Sequence, residues 1–255
     1  MLAKLFKQTH RYLHHSPAAS FSNIPIKLIK ELRDLTGSSI DECRKALEAQ
    51  NSDIQKAIEH LKKRGLAQAE KRSGRQTHEG VIGVKLNRDE SLAIVAEVYC
   101  ETDFVAKNNL FVQFVDNVLQ GIANQPNFEE TALVEEEKVD KLLENTSFQG
   151  IKVGDLEAKN LYEAKQLSIS KLQENIKVAG LHKFQRGDHS KNLIGLYVHN
   201  NVLLSYIGHA ASLVDVQFEK PVTEENRKLA QDTANNLAMQ MLASKPNYIS
   251  RDDIR

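Results

Sequence analysis

The chain has 255 residues, and its 34 Lys and Arg balance 34 Asp and Glu, so no basic excess marks it as a general polyanion binder. Apolar residues make up 41%, enough for a core in one large or a few small domains, and no run approaches the roughly 18 consecutive apolar residues of a membrane-crossing helix. The two cysteines, Cys43 and Cys100, cannot build a disulfide scaffold and lack the CxxC spacing of structural zinc, which fits a reducing compartment.

From Met1 to Lys30 there is no Asp or Glu, while Lys4, Lys7, Arg11, Lys27 and Lys30 are present. Leu2, Leu5, Phe6 and Leu13 fall near one helical face with basic residues between them, and Ser, Pro and Ala follow. This pattern predicts a mitochondrial transit peptide over 1–22 and a matrix protein; a disordered tail is the alternative. A secretory signal would need an apolar run of about seven or more, which is missing. His14 and His15 then need no metal.

Residues 23–66 hold three short helical patterns. The first places Ile26, Ile29 and Leu32 at helical spacing, with Leu28 and Leu35 beside them, between Pro25 and Gly37. The second opens on Ser39 with Glu42 three residues on, a capping box, and turns Cys43, Ala46 and Leu47 inward. The third starts at Asn51 or Ser52, repeats Ile54, Ile58 and Leu61, and is expected to close at Lys62, Lys63, Arg64 and Gly65. Three helices of this length make a bundle that is marginal alone and suits docking more than catalysis. Residues 67–79 are polar and basic and read as a linker or as a helix that frays at Gly74, and the basic cluster as a solvated hinge or an RNA contact.

From Gly80 the apolar period changes to two, and 80–100 reads as a β-hairpin leading into a first core unit over 80–150. "CETDFVAKNN" (100–109) ends the second strand with Glu101, Thr102, Asp103 and Phe104 in a row. Phe104 is either a protruding knob on a strand-to-helix turn or ordinary core under the next helix, and the pattern alone does not choose between them. Leu110, Phe111, Phe114, Val115, Val118 and Ile122 then repeat at helical spacing. Residues 128–146 are acidic and helical in pattern, and 156–176 form another amphipathic helix.

A second core unit, 151–255, repeats the order. A strand covers 175–187, a hairpin is expected within 192–209 with its turn at Asn200 and Asn201, and a helix runs from the Thr223–Asn226 region to Pro246. Strand, turn, strand and helix thus occur twice, as in an internal duplication. The predicted class is α+β: a three-helix bundle, then a duplicated core of antiparallel hairpins packed with helices.

The chain has no GxxxxGK[ST], GxGxxG, HExxH or GxSxG motif, and Cys100 beside Glu101 has no local base. No catalytic residue, metal ligand or cofactor site is expected, and the chain reads as a protein acting through its surfaces rather than as an enzyme.

"KELRDLTGSSIDECRKALEAQNSDIQKAIEHLKKRG" resembles the UBA-like N-terminal module of translation elongation factor Ts, and "ETDFVAKN" resembles that family's TDFVAK motif. "ENIKVAGL" and "LASKP" match later landmarks, in order, from about Ile24 to Ile249. The resemblance implies a guanine-nucleotide exchange factor for elongation factor Tu, a GTPase, and the acid-free N-terminus points to the mitochondrial member. It implies partner contacts through Thr102, Asp103, Phe104 and Val105, with Asp103 and Phe104 reaching near the magnesium site. It also implies contacts through Arg33 and Ile40 of the bundle and His199 of the second unit. It implies that no nucleotide or cofactor is bound directly.

Two departures stand out. The family often has methionines where this chain has Ile40 and Asp41; Ile40 is a fair replacement, and Asp41 is not. Family members usually continue beyond the equivalent of Arg255, and a strand missing there would leave an open sheet edge. The alternative function is an adaptor without exchange activity, binding ubiquitin through the bundle or RNA through Lys62, Lys63, Arg64, Lys71, Arg72 and Arg75.

Overall fold

The computed structural model describes residues 24–87, 89–125, 136–187 and 190–248. The predicted transit peptide and the start of the acidic segment lie outside these residues. The architecture is α+β, as the residue patterns predict.

Helices α1 (Ile26–Thr36), α2 (Ile40–Ala49) and α3 (Ile54–Glu70) form the N-terminal bundle around Ile29, Leu32, Cys43, Ala46, Leu47, Ala57 and Leu61. Gly37 ends α1 at φ 70, a left-handed conformation that costs a glycine little. The Ser39–Glu42 capping box opens α2 as expected. Asp53, rather than Asn51 or Ser52, caps α3 by accepting the Lys56 N–H at 3.1 Å. Ile26 is on the inner face by spacing but is left exposed; nothing in the bundle covers it.

Helix α3 does not stop at Gly65. It runs to Glu70 and carries Leu66 and Ala69 into the main core. Gly65 is there for space: a Cβ would stand 2.4 Å from the Ser170 hydroxyl oxygen. The residues expected to begin a linker therefore bind the bundle to the rest of the chain.

The main sheet is antiparallel, in the order β5–β2–β1–β7: Ile176–Gln185, Leu92–Cys100, Glu79–Leu86 and Ile207–Gly208. Side chains alternate across it. Ile94, Ala96, Val98 and Cys100 of β2 face the main core, while Ala93 and Val95 face the other way. The β2–β5 register shifts between Glu97 and Val98, so one extra residue, Ala179, lies opposite this step. That bulge keeps Leu181 on the same inner face as Ile176 and Val178.

Between β2 and β5 come α4 (Asp103–Ala106), α5 (Asn109–Ala123), α6 (Glu136–Asn145), the short ladder β3–β4 (Lys152–Val153, Leu156–Glu157) and α7 (Leu161–Leu172). Phe111, Val112, Phe114, Val115, Val118 and Leu119 of α5 are buried, because the helix lies between the sheet and α7. Burying Phe111 and Phe114 alone contributes about 1.5–3 kcal/mol each. Helix α7 is shorter than the predicted 156–176 because Leu156–Glu157 is a strand and Asn160 caps the helix, accepting the Glu163 N–H at 2.8 Å.

The second unit differs from its expected hairpin. Strand β6 (Asn192–His199) pairs with β8 (Ala210–Gln217), from Asn192↔Gln217 to His199↔Ala210, rather than within 192–209. Asn200 does turn at φ 50, but the intervening loop delivers β7 to the edge of the main sheet. The β6–β8 ladder covers the sheet's outer face through Val84, Ala93 and Ile194. Helix α8 (Glu224–Ser244) lies on the ladder through Ala230, Ala234 and Ala238. Strand, turn, strand and helix do recur, yet β5 and β7 complete the first unit's sheet, so the two units are interleaved.

Candidate partner-binding site

Phe104 is 82% exposed, more than any other large hydrophobic side chain among the described residues. Leaving a phenylalanine in water forgoes about 1.5–3 kcal/mol of burial. Its neighbours behave in the opposite way. Cys100 is fully buried, Ala106 is at 1%, and Val105 is at 8% and packs into the main core. Val105 was expected to face a partner; it is instead a peg that fixes the turn from below.

Thr102 caps α4: its side-chain oxygen accepts the Val105 N–H at 3.4 Å. The Thr102 hydroxyl and N–H donate to the two carboxylate oxygens of Glu174, at 2.7 and 3.0 Å. Glu101 accepts the Asn175 N–H at 2.6 Å and pairs with Arg75 at 3.5 Å. Asn175 donates its side-chain amide to the carbonyls of Ser73 and Arg75. Asp103 pairs with Lys107 at 3.1 Å on the exposed side. Every neighbour of Phe104 is tied down, and Phe104 itself is free. Charge-assisted bonds of this kind are the strong ones, so the turn is formed before any partner arrives.

Sequence reasoning missed Glu174 as a supporting residue. Glu174→Ala is expected to lower stability by about 1–2 kcal/mol, since it strips both acceptors from Thr102. Urea denaturation reads this loss, and a fluorescence assay of Phe104 replaced by Trp should show a looser side chain.

Arg33 and Ile40 are both exposed and line one cleft of about 630 Å³ between the bundle and the end of α7, with Ser39, Asp41, Lys171 and Gln173. Asp41 pairs with Arg44 at 3.3 Å. Burial pushes the Lys171 ammonium below its ordinary pKa. Gln173 faces this cleft while the next residue, Glu174, holds Thr102, so the end of α7 links the bundle surface to the Phe104 turn.

His199 is exposed at the end of β6, its Nδ1 3.2 Å from the Tyr197 hydroxyl. Its carbonyl accepts the His209 N–H at 3.0 Å, closing the loop after it. This loop reaches the motif: Lys107 lines one depression of about 580 Å³ with Asn200, Asn201, Val202, Leu203 and His209.

Burial pushes the Cys100 thiol up to about 12, with the Glu174 charge adding to it. Its Sγ lies 3.2 Å from the Thr102 carbonyl oxygen. Burial also raises the Cys43 thiol. Neither is a thiolate at neutral pH, so a thiol reagent at pH 8 is expected to modify no cysteine in the native protein and both in denaturant. Among the described residues no group of three or more His, Cys, Asp and Glu could hold a metal, and no helix is long and apolar enough to cross a membrane. Four of the six cations considered for RNA are engaged internally: Lys62 with Glu163, Arg64 with Glu42, Arg72 with Gln173 and Arg75 with Glu101.

Fold and site together define an α+β protein that presents a single aromatic on a pre-formed strand-to-helix turn, flanked by two further exposed surfaces. The family described as Elongation factor TS matches residues 101–255. The chain is 36% identical over 234 residues to the mitochondrial elongation factor Ts 2 of Paramecium tetraurelia, covering 92% of this chain and 70% of that one. It is 36% identical over 231 residues to elongation factor Ts of Clostridium kluyveri, covering 91% and 66%. With elongation factor Ts of Lawsonia intracellularis it shares 34% over 233 residues, covering 91% and 71%. The chain belongs to the elongation factor Ts family, and it spans about two thirds of the length of these relatives.

Proposed function

We propose that the chain is a guanine-nucleotide exchange factor for mitochondrial elongation factor Tu, acting in the matrix through its surface and not as an enzyme. The observation that carries this reading is Phe104, exposed on a turn whose other residues are bonded or buried. An aromatic held this way inserts into a partner at little conformational cost.

In the proposed mechanism, Phe104 and Asp103 enter the GTPase beside its magnesium site. Bound GDP depends on Mg²⁺ and on backbone amides around its phosphates. A wedge that shifts the element shaping that site weakens the ion, and the uncovered phosphate charge then favours departure. Factor and nucleotide must each weaken the other's binding by the same ratio. Arg33 and Ile40 would hold the same domain from the bundle, and His199 a second domain.

The test is release of a fluorescent GDP from mitochondrial elongation factor Tu. The expected result is release faster by orders of magnitude on adding the folded chain; no acceleration would sink the reading. The matrix location is supported by the acid-free residues 1–30 and by the mitochondrial relative. Import of the full chain into isolated mitochondria, with loss of import on deleting residues 1–22, checks it.

A further inference from the structure

Leu203 is 61% exposed and sits at φ 62. The Leu204 N–H donates to the Val202 carbonyl at 2.6 Å, which closes a three-residue turn across Leu203. A γ-turn with positive central φ is the rare, strained form. Glycine would occupy it without steric cost, and leucine does not. The position therefore combines two unfavourable features, a strained backbone and an apolar side chain in water. Strain of this kind persists where the surroundings over-determine it and often marks function.

The surroundings do over-determine it. Val202 and Ile207 are buried on either side. The Val202 N–H donates to the Ile207 carbonyl at 2.8 Å, and the Ile207 N–H to the Leu204 carbonyl at 3.1 Å. The strained turn lies beside the motif, because Lys107, three residues after Phe104 and paired with Asp103, lines the same depression as Leu203 and His209. The Phe104 turn and the Leu203 turn, almost a hundred residues apart in sequence, meet at Lys107.

We propose that Leu203 is a second apolar anchor on the surface that Phe104 opens, and that the partner GTPase is held by both at once. The inference rests on the exchange reading above. Two anchors on separate rigid turns fix the direction from which Phe104 enters, which one anchor cannot do. The matching surface on the GTPase is an apolar depression within reach of the pocket that takes Phe104.

The test compares full-length wild type, Leu203→Gly, Leu203→Met and Phe104→Ala, each for thermal stability and for Kd toward nucleotide-free mitochondrial elongation factor Tu. Leu203→Gly removes the anchor and relieves the backbone, so its melting temperature should hold or rise while binding weakens roughly tenfold. Leu203→Met keeps an apolar side chain and should bind nearly as wild type. Leu203→Gly binding at full strength while Phe104→Ala is weakened would overturn the second anchor and leave the exchange reading standing. A lower melting temperature for Leu203→Gly would assign Leu203 a structural role and equally overturn it. If the wild type binds no GTPase, the exchange reading falls and the anchor with it.

Discussion

Phe104→Ala is expected to slow stimulated GDP release by roughly thirtyfold or more, the scale of a central interface residue worth at least ~2 kcal/mol, while leaving the fold intact. The two halves of this expectation come from the same observation. At 82% exposure the side chain contributes almost nothing to the protein's own core. Substitutions at such positions usually change stability by less than about 0.5 kcal/mol, so the melting temperature should stay within roughly 2 °C. All the support lies elsewhere: Thr102 still caps α4, Glu174 still holds Thr102, and Val105 and Ala106 still fill the core. Phe104→Leu should fall between, since it keeps apolar bulk and loses the flat ring. An alanine variant that is folded and fully active would leave exchange to other surfaces and remove the wedge. An alanine variant that unfolds would mean that Phe104 is core, against its exposure.

Which parts of this arrangement were legible in the sequence follows from whether their cause is local. The Ser39–Glu42 capping box, the Gly37 stop and the period-two strands around Val81–Leu86 and Leu92–Cys100 depend on neighbours in the chain, and each stands where the pattern put it. Gly65 did not follow its local signature. A glycine after three cations has the pattern of a helix end, but Leu66 and Ala69 pack into the main core and carry the helix on, and the glycine answers to the closeness of Ser170, 105 residues away. The 192–209 segment misled for a similar reason. Asn200 turns as expected, but β8 is the better partner for β6 because its ladder runs through eight residue pairs and closes the sheet's outer face. For Phe104 the pattern allowed an exposed knob or ordinary core, and the side chain stands exposed. The choice is made by Glu174, a residue 70 positions on that looks in sequence like any solvated acid at a helix end. Leu203 gave no signal, since positive φ at leucine has no sequence signature.

Gly195→Ala is expected to cost about 3 kcal/mol of stability, and the contrast with Gly83→Ala shows why. At Gly195 a Cβ would lie 2.1 Å from the Ala234 carbonyl oxygen and 2.5 Å from its carbon. Both obstacles are backbone atoms of α8, so no rotamer change relieves them and no substitution at 234 removes them. Either α8 lifts off the β6–β8 ladder or β6 bends away, and both uncover Leu193, Ala230 and Ala234. Overpacking of this kind costs about 1–3 kcal/mol, with rigid obstacles at the upper end. At Gly83 the obstacles are Leu119 Cδ1 at 2.7 Å and Val115 Cγ1 at 3.0 Å, the ends of side chains that can turn, so about 1 kcal/mol is expected. Thermal denaturation should therefore place Gly195→Ala roughly 6–12 °C below wild type and well below Gly83→Ala. Equal losses would mean that α8 slides freely on its ladder. The consequence for function follows from where β6 ends. His199 and the loop carrying Leu203 hang from that strand, whereas the Phe104 turn hangs from β2 and α7. Below its melting temperature, Gly195→Ala should bind elongation factor Tu more weakly while amide exchange at Thr102–Ala106 stays as slow as in the wild type. Faster exchange at those amides would show that the wedge depends on the second unit as well as on Glu174.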